Sequence, residues 1–176
     1  MTNTLEIKLL SDNATKPKRN NLDAGYDIYA AETVILEPQQ KVLIATDLAV
    51  NIPKGYVGLL TSRSGVSSKT HLVVETGKID AGFQGHMKIN VKNDMDISNV
   101  APTKAVLNGE RAYSLLDVSG ERIGFSTNMN CYKINKGDRL AQLVIVPIWT
   151  PELEPVEDFE SETTRGEKGF GSSGTR

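Results

Sequence analysis

The chemistry that this chain could perform is most visible in RGEKGFGSSG, residues 165–174. Its last six residues fit G-x-G-x-x-G, a pattern that typically binds phosphates before a helix. Only Thr175 and Arg176 follow, so we do not expect a dinucleotide fold. We do not expect a Walker loop either, because Gly171 is followed by Ser172-Ser173 and not by Lys-Ser or Lys-Thr. Arg165 can bind phosphate oxygens in a bidentate manner, and Phe170 can stack on a base. The segment predicts a lid that closes over a nucleotide; a flexible glycine-serine terminus is the alternative.

Three further polar clusters precede it: DAGYD at 23–27, TSRSG at 61–65 and GKIDAGF at 77–83. The first places two carboxylates beside a glycine, the second an arginine and serines, and the third an acid in a glycine-flanked turn. Taken singly, each is typical of ordinary turn chemistry. Four such clusters in one small all-β chain are more than ordinary turns explain, and they favour a site beneath the lid that can hold an anion.

Composition limits the possible functions of the 176 residues. The net charge of −2 gives no overall attraction to nucleic acid or to anionic membranes. Cys131 is the only cysteine, so we expect a free structural thiol and a reducing compartment. Two histidines and one cysteine offer no zinc site. No signal-like segment opens the chain and the apolar run 140–149 is too short to span a bilayer, so we expect a cytoplasmic protein.

The elements that must position these clusters are mostly strands. Alternating or β-branched runs occur at 5–9, 33–37, 41–46, 56–61, 72–74, 87–91 and 139–149, and Pro, Gly, Asn or Asp separate them. A single short helix is predicted at 65–70. Residues 93–130 are too long for a simple connection and contain the strand-like pieces AYSLL and RIGF. Residues 151–176 indicate a mobile tail. The pattern predicts an all-β sandwich, jelly roll or barrel.

Together the polar clusters resemble the five motifs of the trimeric dUTP pyrophosphatases, or dUTPases. They occur in the family's order: DAGYDIYAAE (23–32), SRSGVSSK (62–69), GKIDAGFQGHMKI (77–89), KGDRLAQLVI (136–145) and RGEKGFGSSG (165–174). The resemblance runs from about residue 5 to the end, except 93–130. It implies a distorted jelly-roll core over residues 1–150, interrupted by a β-rich insert at about 93–130, and a mobile C-terminal arm over 151–176.

The resemblance also implies an activity. The subunit would form a homotrimer and hydrolyse dUTP to dUMP and pyrophosphate. Asp80 matches the acid that activates the attacking water. Mg²⁺ would be held by the triphosphate and by waters, with Asp27 nearby and no direct protein ligand.

The same resemblance assigns the substrate-binding residues. The second, fourth and fifth motifs would bind phosphates, while the third would read uracil through its backbone and pack an aromatic ring on the deoxyribose. The residues implied are Arg63, Ser64, Gly65, Gly77, Lys78, Ile79, Phe83, Lys88, Gln142, Arg165, Phe170, Gly171 and Ser172.

Three positions depart from the family pattern. Phe83 stands where many members have tyrosine, so a hydrogen bond through that hydroxyl is lost. Lys168 replaces a glycine of the fifth motif, and Val74 stands where some relatives use asparagine. Base recognition is therefore expected to depend on the backbone.

The insert at about 93–130 resembles the extra segment in dUTPases of staphylococcal phages. Those relatives can also bind the repressor of a mobile pathogenicity island, so the resemblance implies such a partner here. A surface β-excursion is the alternative role of the insert. Rival functions are a dCTP deaminase-like enzyme on the same fold and a non-catalytic jelly-roll binding protein.

Overall fold

The computed structural model describes residues 4–99, 101–127, 129–161, 163 and 166. These residues form strands, one short α-helix and one 3-10 turn, so the all-β prediction is confirmed. The strands are β1 (Glu6–Leu9), β2 (Tyr26–Tyr29), β3 (Val34–Leu36), β4 (Lys41–Asn51), β5 (Tyr56–Ser62), β6 (Leu72–Val74), β7 (Gly77–Ile79), β8 (Met87–Asn93), β9 (Val106–Leu107), β10 (Glu110–Arg111), β11 (Tyr113–Leu116), β12 (Arg122–Ser126), β13 (Cys131–Ile134) and β14 (Arg139–Pro147).

The strands form three four-stranded sheets and one isolated hairpin. The strand orders are β1-β4-β8-β6, β2-β14-β5-β7 and β12-β11-β13-β3, and β9 pairs with β10. Most pairs are antiparallel, but β11 and β13 run parallel. One cluster of buried side chains joins the three large sheets, with Ile28, Leu36, Ile44, Leu60, Ile89 and Tyr132 among its members.

Alternation in the sequence explains the long strands. In β8 the residues Met87, Ile89 and Val91 are buried, while Lys88 is exposed between them. Each such buried side chain contributes about 1.5–3 kcal/mol relative to an exposed one. Strand β4 contains a bulge between Ala45 and Leu48, where Asp47 adopts φ of 51°. The bulge turns β4 at the point where it meets the segment that precedes β8.

The helix α1 (Ser64–Lys69) follows β5 directly, one residue before the predicted start. It is a single short turn anchored by the buried Val66, and Thr70 ends it by bonding back to the Val66 carbonyl. Ser64 and Gly65 are exposed at its start.

The insert divides into two parts that pack differently. The hairpin of β9 and β10 is exposed along its length. Strand β11, in contrast, is half-buried and lies between β12 and the core strand β13. The predicted strand pieces AYSLL and RIGF correspond to β11 and β12. The insert therefore includes a strand of a core sheet as well as a surface excursion.

The single cysteine and the C-terminal arm complete the fold. Cys131 is buried and free, as predicted, and burial raises the pKa of its thiol. Among the described residues from 151 onwards, neither strand nor helix is formed. The mobility of the arm stays a prediction.

Candidate active site

Strand pairing brings three of the predicted motifs together at one end of the β2-β14-β5-β7 sheet. Asp27 of β2 lies opposite Gln142 of β14, and Gln142 lies opposite Thr61 of β5. Arg63 follows the last residue of β5. The first, second and fourth motifs therefore meet because β14 lies between β2 and β5.

Two ion pairs hold the charged side chains together at this end of the sheet. The Arg63 Nε lies 2.7 Å from Oδ1 of Asp27, and Nη1 of Arg139 lies 3.3 Å from Oδ2 of the same carboxylate. Asp27 and Arg63 are about one-quarter exposed, at 24% and 28%. The Gln142 amide donates to the carbonyl oxygen of Ser62 at 3.2 Å. We call Asp27, Arg63, Arg139 and Gln142 the charged cluster.

A pocket of about 310 Å³ opens beside the charged cluster. Its lining includes Arg63, Gly65 and Lys69 from the second motif, Arg139 from the fourth, and Ser119 from the insert. Lys69 forms no ion pair within the described part of the chain. Since three cations face a space with few carboxylates, the pocket suits a polyanion.

The insert reaches the pocket through the turn between β11 and β12. Both Ser119 groups, hydroxyl and backbone amide, donate to the Asp117 carboxylate at 2.7 and 2.8 Å, and the Glu121 amide donates at 3.0 Å. Burial opposes ionisation of Asp117, but these hydrogen bonds outweigh it and lower its pKa. Gly120 adopts φ of +81°, and a Cβ atom there would lie 2.4 Å from the Lys69 carbonyl oxygen. Only glycine fits this contact, so the turn is seated on the end of α1.

The third motif lies elsewhere. Strand β7 pairs with the first half of β5, where Ile79 is opposite Gly58. Asp80 follows Ile79, whereas Arg63 follows Ser62 at the other end of β5. Gly58 and Ser62 are four residue steps apart along the strand, a distance of roughly 13 Å. Within one chain, the proposed water-activating acid and the charged cluster are therefore apart.

Asp80 and Phe83 lie in one tight turn. The Phe83 amide donates to the Asp80 carbonyl oxygen at 3.1 Å, and Gly82 between them adopts φ of +93°. Asp80 is exposed and Phe83 is 45% exposed. We call residues 80–86 the catalytic loop, because Asp80 is the residue predicted to activate the attacking water. The turn presents a carboxylate and an aromatic ring to the same solvent region.

Hydrogen bonds to neighbouring strands hold the second half of the catalytic loop. The Gln84 amide donates to Asn51 at 3.0 Å, and Asn51 in turn donates to Glu6 at 2.7 Å. At the bulge of β4, the backbone amide of Asp47 donates to Nε2 of His86 at 3.0 Å. These contacts tie the loop to β1 and β4.

The other predicted substrate residues divide between these regions. Gly77, Lys78 and Ile79 form β7, with Ile79 buried and Lys78 exposed. Lys88 is exposed on β8, and Val74 is buried at the end of β6. The predictions for Arg165, Lys168, Phe170, Gly171 and Ser172 fall outside the described residues.

Sequence reasoning did not single out Arg139, Lys69 or Ser119. Arg139 and Lys69 lie inside the fourth and second motifs, so membership of a motif could have identified them. Ser119 had none, because only folding brings the insert to α1.

No group of three metal-binding side chains occurs in the described ranges. Likewise, none of the described helices is long and apolar enough to cross a membrane.

The fold and the charged cluster define an all-β protein that gathers cationic side chains at one end of a sheet, and comparisons identify its family. The sequence model of the dUTPase family matches residues 12–100 and 120–174. The deoxyuridine 5'-triphosphate nucleotidohydrolase of Mycobacterium marinum is 34% identical over 181 residues, covering 99% of this chain and 97% of the relative. A probable enzyme of the same name from Schizosaccharomyces pombe is 33% identical over 169 residues, covering 96% of each.

Solved structures agree. A mutant dUTPase of Staphylococcus bacteriophage 80alpha, bound to dUpNHpp, superposes with a TM-score of 0.85 at 59% identity, covering 98% of this chain and 99% of that one. The dUTPase of S. aureus phage phi11, described for its species-specific insert, gives a TM-score of 0.78 at 58% identity, covering 91% and 100%. The chain therefore belongs to the dUTPase family and has its jelly-roll fold. The resemblance inferred from the five motifs is confirmed.

Proposed function

We propose that the chain hydrolyses dUTP to dUMP and pyrophosphate. The observation that carries this proposal is the meeting of Arg63, Lys69 and Arg139 around one pocket, within the segments that match the dUTPase family. Arginine guanidinium groups bind phosphate oxygens in a bidentate manner and neutralise charge as a phosphoanhydride bond breaks. The 80alpha relative was solved with the nucleotide dUpNHpp, which supports a deoxyuridine triphosphate as substrate.

Asp80 is the proposed general base. Its carboxylate takes a proton from water while the water oxygen bonds to phosphorus and the bond between the α- and β-phosphates breaks, releasing pyrophosphate. A positioned carboxylate typically accelerates such a step by about 10²–10⁴-fold. The turn from Asp80 to Phe83 keeps the backbone of the proposed base close to that of the ring proposed to pack on deoxyribose.

The site is proposed to form between copies of the chain. Asp80 and Arg63 lie beyond opposite ends of the paired part of β5. Since one substrate must contact both, a second copy supplies the missing half in a homotrimer. The C-terminal motif with Arg165, Phe170, Gly171 and Ser172 is proposed to close over the bound nucleotide.

The charged cluster is better suited to a magnesium ion already bound to the nucleotide than to a free magnesium ion bound directly by protein side chains. Both oxygens of Asp27 are engaged by arginines, which disfavours direct ligation of a metal ion by this carboxylate and leaves it, in this proposal, a role near metal-bound waters. Mg²⁺ on the triphosphate would neutralise phosphate charge and retain several waters. A phage phi11 relative holds a structural Mg(II) ion, which supports Mg²⁺ as the metal.

A second role, in binding a pathogenicity-island repressor, is favoured by the exposed surface of the insert. Ile123 and Phe125 alternate on the edge strand β12 with 48% and 43% exposure, and Val106 on the hairpin is 66% exposed. Exposed apolar groups on an edge strand suit a protein partner. Structures of the phage 80alpha relatives are described in terms of control of virulence-gene transfer. Loss of repressor binding in Ile123→Ser/Phe125→Ser, with hydrolysis retained, would support this role, while unchanged binding would contradict it.

Pyrophosphate release from dUTP, dTTP, dCTP and UTP with Mg²⁺ tests the main proposal. We expect release from dUTP alone, and its loss in Asp80→Asn. Ammonia release from dCTP would instead favour the deaminase. No turnover of any nucleotide would favour the non-catalytic binding protein.

A further inference from the structure

The ring of Phe83 rests on the backbone of Gly85. A Cβ atom at Gly85 would lie 2.9 Å from both Cε2 and Cζ of the ring. Carbon atoms of groups that are not bonded to each other ordinarily stay about 3.5–4.0 Å apart. The missing side chain at residue 85 therefore determines how closely the ring lies against the catalytic loop.

The backbone beneath the ring is held in place from both sides. The Gln84 side chain donates a hydrogen bond to the Asn51 side chain, and the His86 ring accepts a hydrogen bond from the backbone amide of Asp47. The Phe83 amide is bonded to Asp80. The ring itself is 45% exposed, so a ligand can pack on the surface that does not face Gly85. The ring therefore has a supported face against the loop and an exposed face on which a ligand can pack.

We propose that Gly85 is a specificity-determining position that acts through Phe83. By letting the ring lie directly on the loop, it sets the depth of the slot that receives the sugar, and hence the selection of deoxyribose over ribose. This inference rests on the proposed function, in which Phe83 packs against the sugar. A displaced ring would lose its packing on the 2′ carbon of dUTP and would no longer crowd the 2′-hydroxyl of UTP.

Gly85→Ala tests the proposal with little risk to folding. Gly85 does not have a positive φ, so alanine is compatible with its backbone, and the exposed ring can move away. We expect the ring to shift by on the order of 0.5–1 Å to restore contact distance. The ratio of kcat/KM for dUTP to that for UTP should fall by about 10- to 100-fold, as expected for a misplacement near 1 Å.

A double-mutant cycle separates an effect through the ring from a general one. In a Phe83→Leu background, Gly85→Ala should leave the dUTP to UTP ratio unchanged, because the group it displaces is absent. Gly124→Ala is the matched control, since its Cβ atom would make an ordinary 3.8 Å contact with Leu115 in the insert. That control should retain the wild-type ratio.

The possible outcomes are distinguishable. A wild-type ratio in Gly85→Ala, or an equal fall in the Phe83→Leu background, overturns the inference while leaving dUTP hydrolysis established. Equal losses for dUTP and UTP also overturn it, because they indicate a general disturbance of the loop. If the wild-type protein releases no pyrophosphate from dUTP, the proposed function fails and the inference fails with it.

Discussion

The two ends of strand β5 carry the two halves of the proposed site, and they are built differently. At its C-terminal end the charged cluster is cross-linked by strand pairing and ion pairs. Near its N-terminal end the catalytic loop presents an exposed Asp80 on a turn, which is held by the Phe83 amide and by side-chain hydrogen bonds of Gln84 and His86.

This difference corresponds to the two proposed roles, which are to bind the phosphates and to activate the water. Three strands in register can place arginines and a carboxylate together before any ligand binds. The same register keeps Asp80 away from them, since β7 pairs with the opposite half of β5. This separation is the reason for proposing that a second copy of the chain completes the site.

Replacing the proposed base should give the largest effect. Asp80→Asn keeps the size of the side chain but removes the proton acceptor, so kcat should fall by about 10²–10⁴-fold. Because Asp80 is exposed, the melting temperature should stay unchanged. Stopped assays of pyrophosphate release measure the effect, with the exposed Asp12→Asn as control. A wild-type kcat in Asp80→Asn would show that Asp80 does not act as the general base.

Mixing two inactive variants tests whether the halves come from different copies. Arg63→Ala removes the phosphate-binding half and Asp80→Asn the catalytic half. If the site forms between subunits, unfolding and refolding the variants together at equal amounts should restore about one-quarter of wild-type activity, because a random assembly pairs intact halves at that frequency. Activity no higher than that of the separate variants would place both residues in sites within one chain.

Substitutions at two glycines test the contact between the β11–β12 turn and the end of α1. Gly120 and Gly109 both have positive φ, at +81° and +87°, but only a Cβ atom at Gly120 would meet backbone, whereas Gly109 faces open space. Gly109→Ala should cost about 1 kcal/mol of unfolding free energy through backbone strain. Gly120→Ala should cost a further 1–3 kcal/mol or so through overpacking. Urea denaturation compares them, and equal losses would show that the turn is not seated on α1.

Acid conditions should weaken the same turn slightly, the smallest effect of the four. The folded pKa of Asp117 lies below its ordinary value of 3.8. Its ionised form therefore stabilises the fold above that value, and this contribution is lost as the pH falls through the folded pKa. Asp117→Asn should remove this part of the pH dependence below 3.8. Thermal unfolding between neutral and acid pH measures it, and parallel curves for the two proteins would contradict the assignment.

Much of the fold and the site could be predicted because the signals are local. Alternating apolar residues identify β8, since burial on one face imposes a period of two. The short helix after Arg63 was placed within one residue. Asp27, Arg63 and Gln142 were identified through motifs, and their meeting follows from the pairing of β14 with β2 and β5.

Contacts between distant segments could not be read from the chain. Gly120 looks like any turn glycine until β11 joins the sheet of β13 and carries the turn onto α1. Likewise, His86 gives no sign of its partner until the bulge of β4 presents the Asp47 amide. Such pairs depend on register and on long-range packing, which local patterns do not encode.

The sequence by itself determined which residues can do chemistry and that they lie on an all-β scaffold, because residue type and side-chain period are local properties. Only the tertiary structure decided which of them meet. The order β2-β14-β5-β7 assembles the charged cluster at one end of β5 and sets Asp80 toward the other. Strand order is fixed by the burial of the shared core, to which residues from the whole chain contribute.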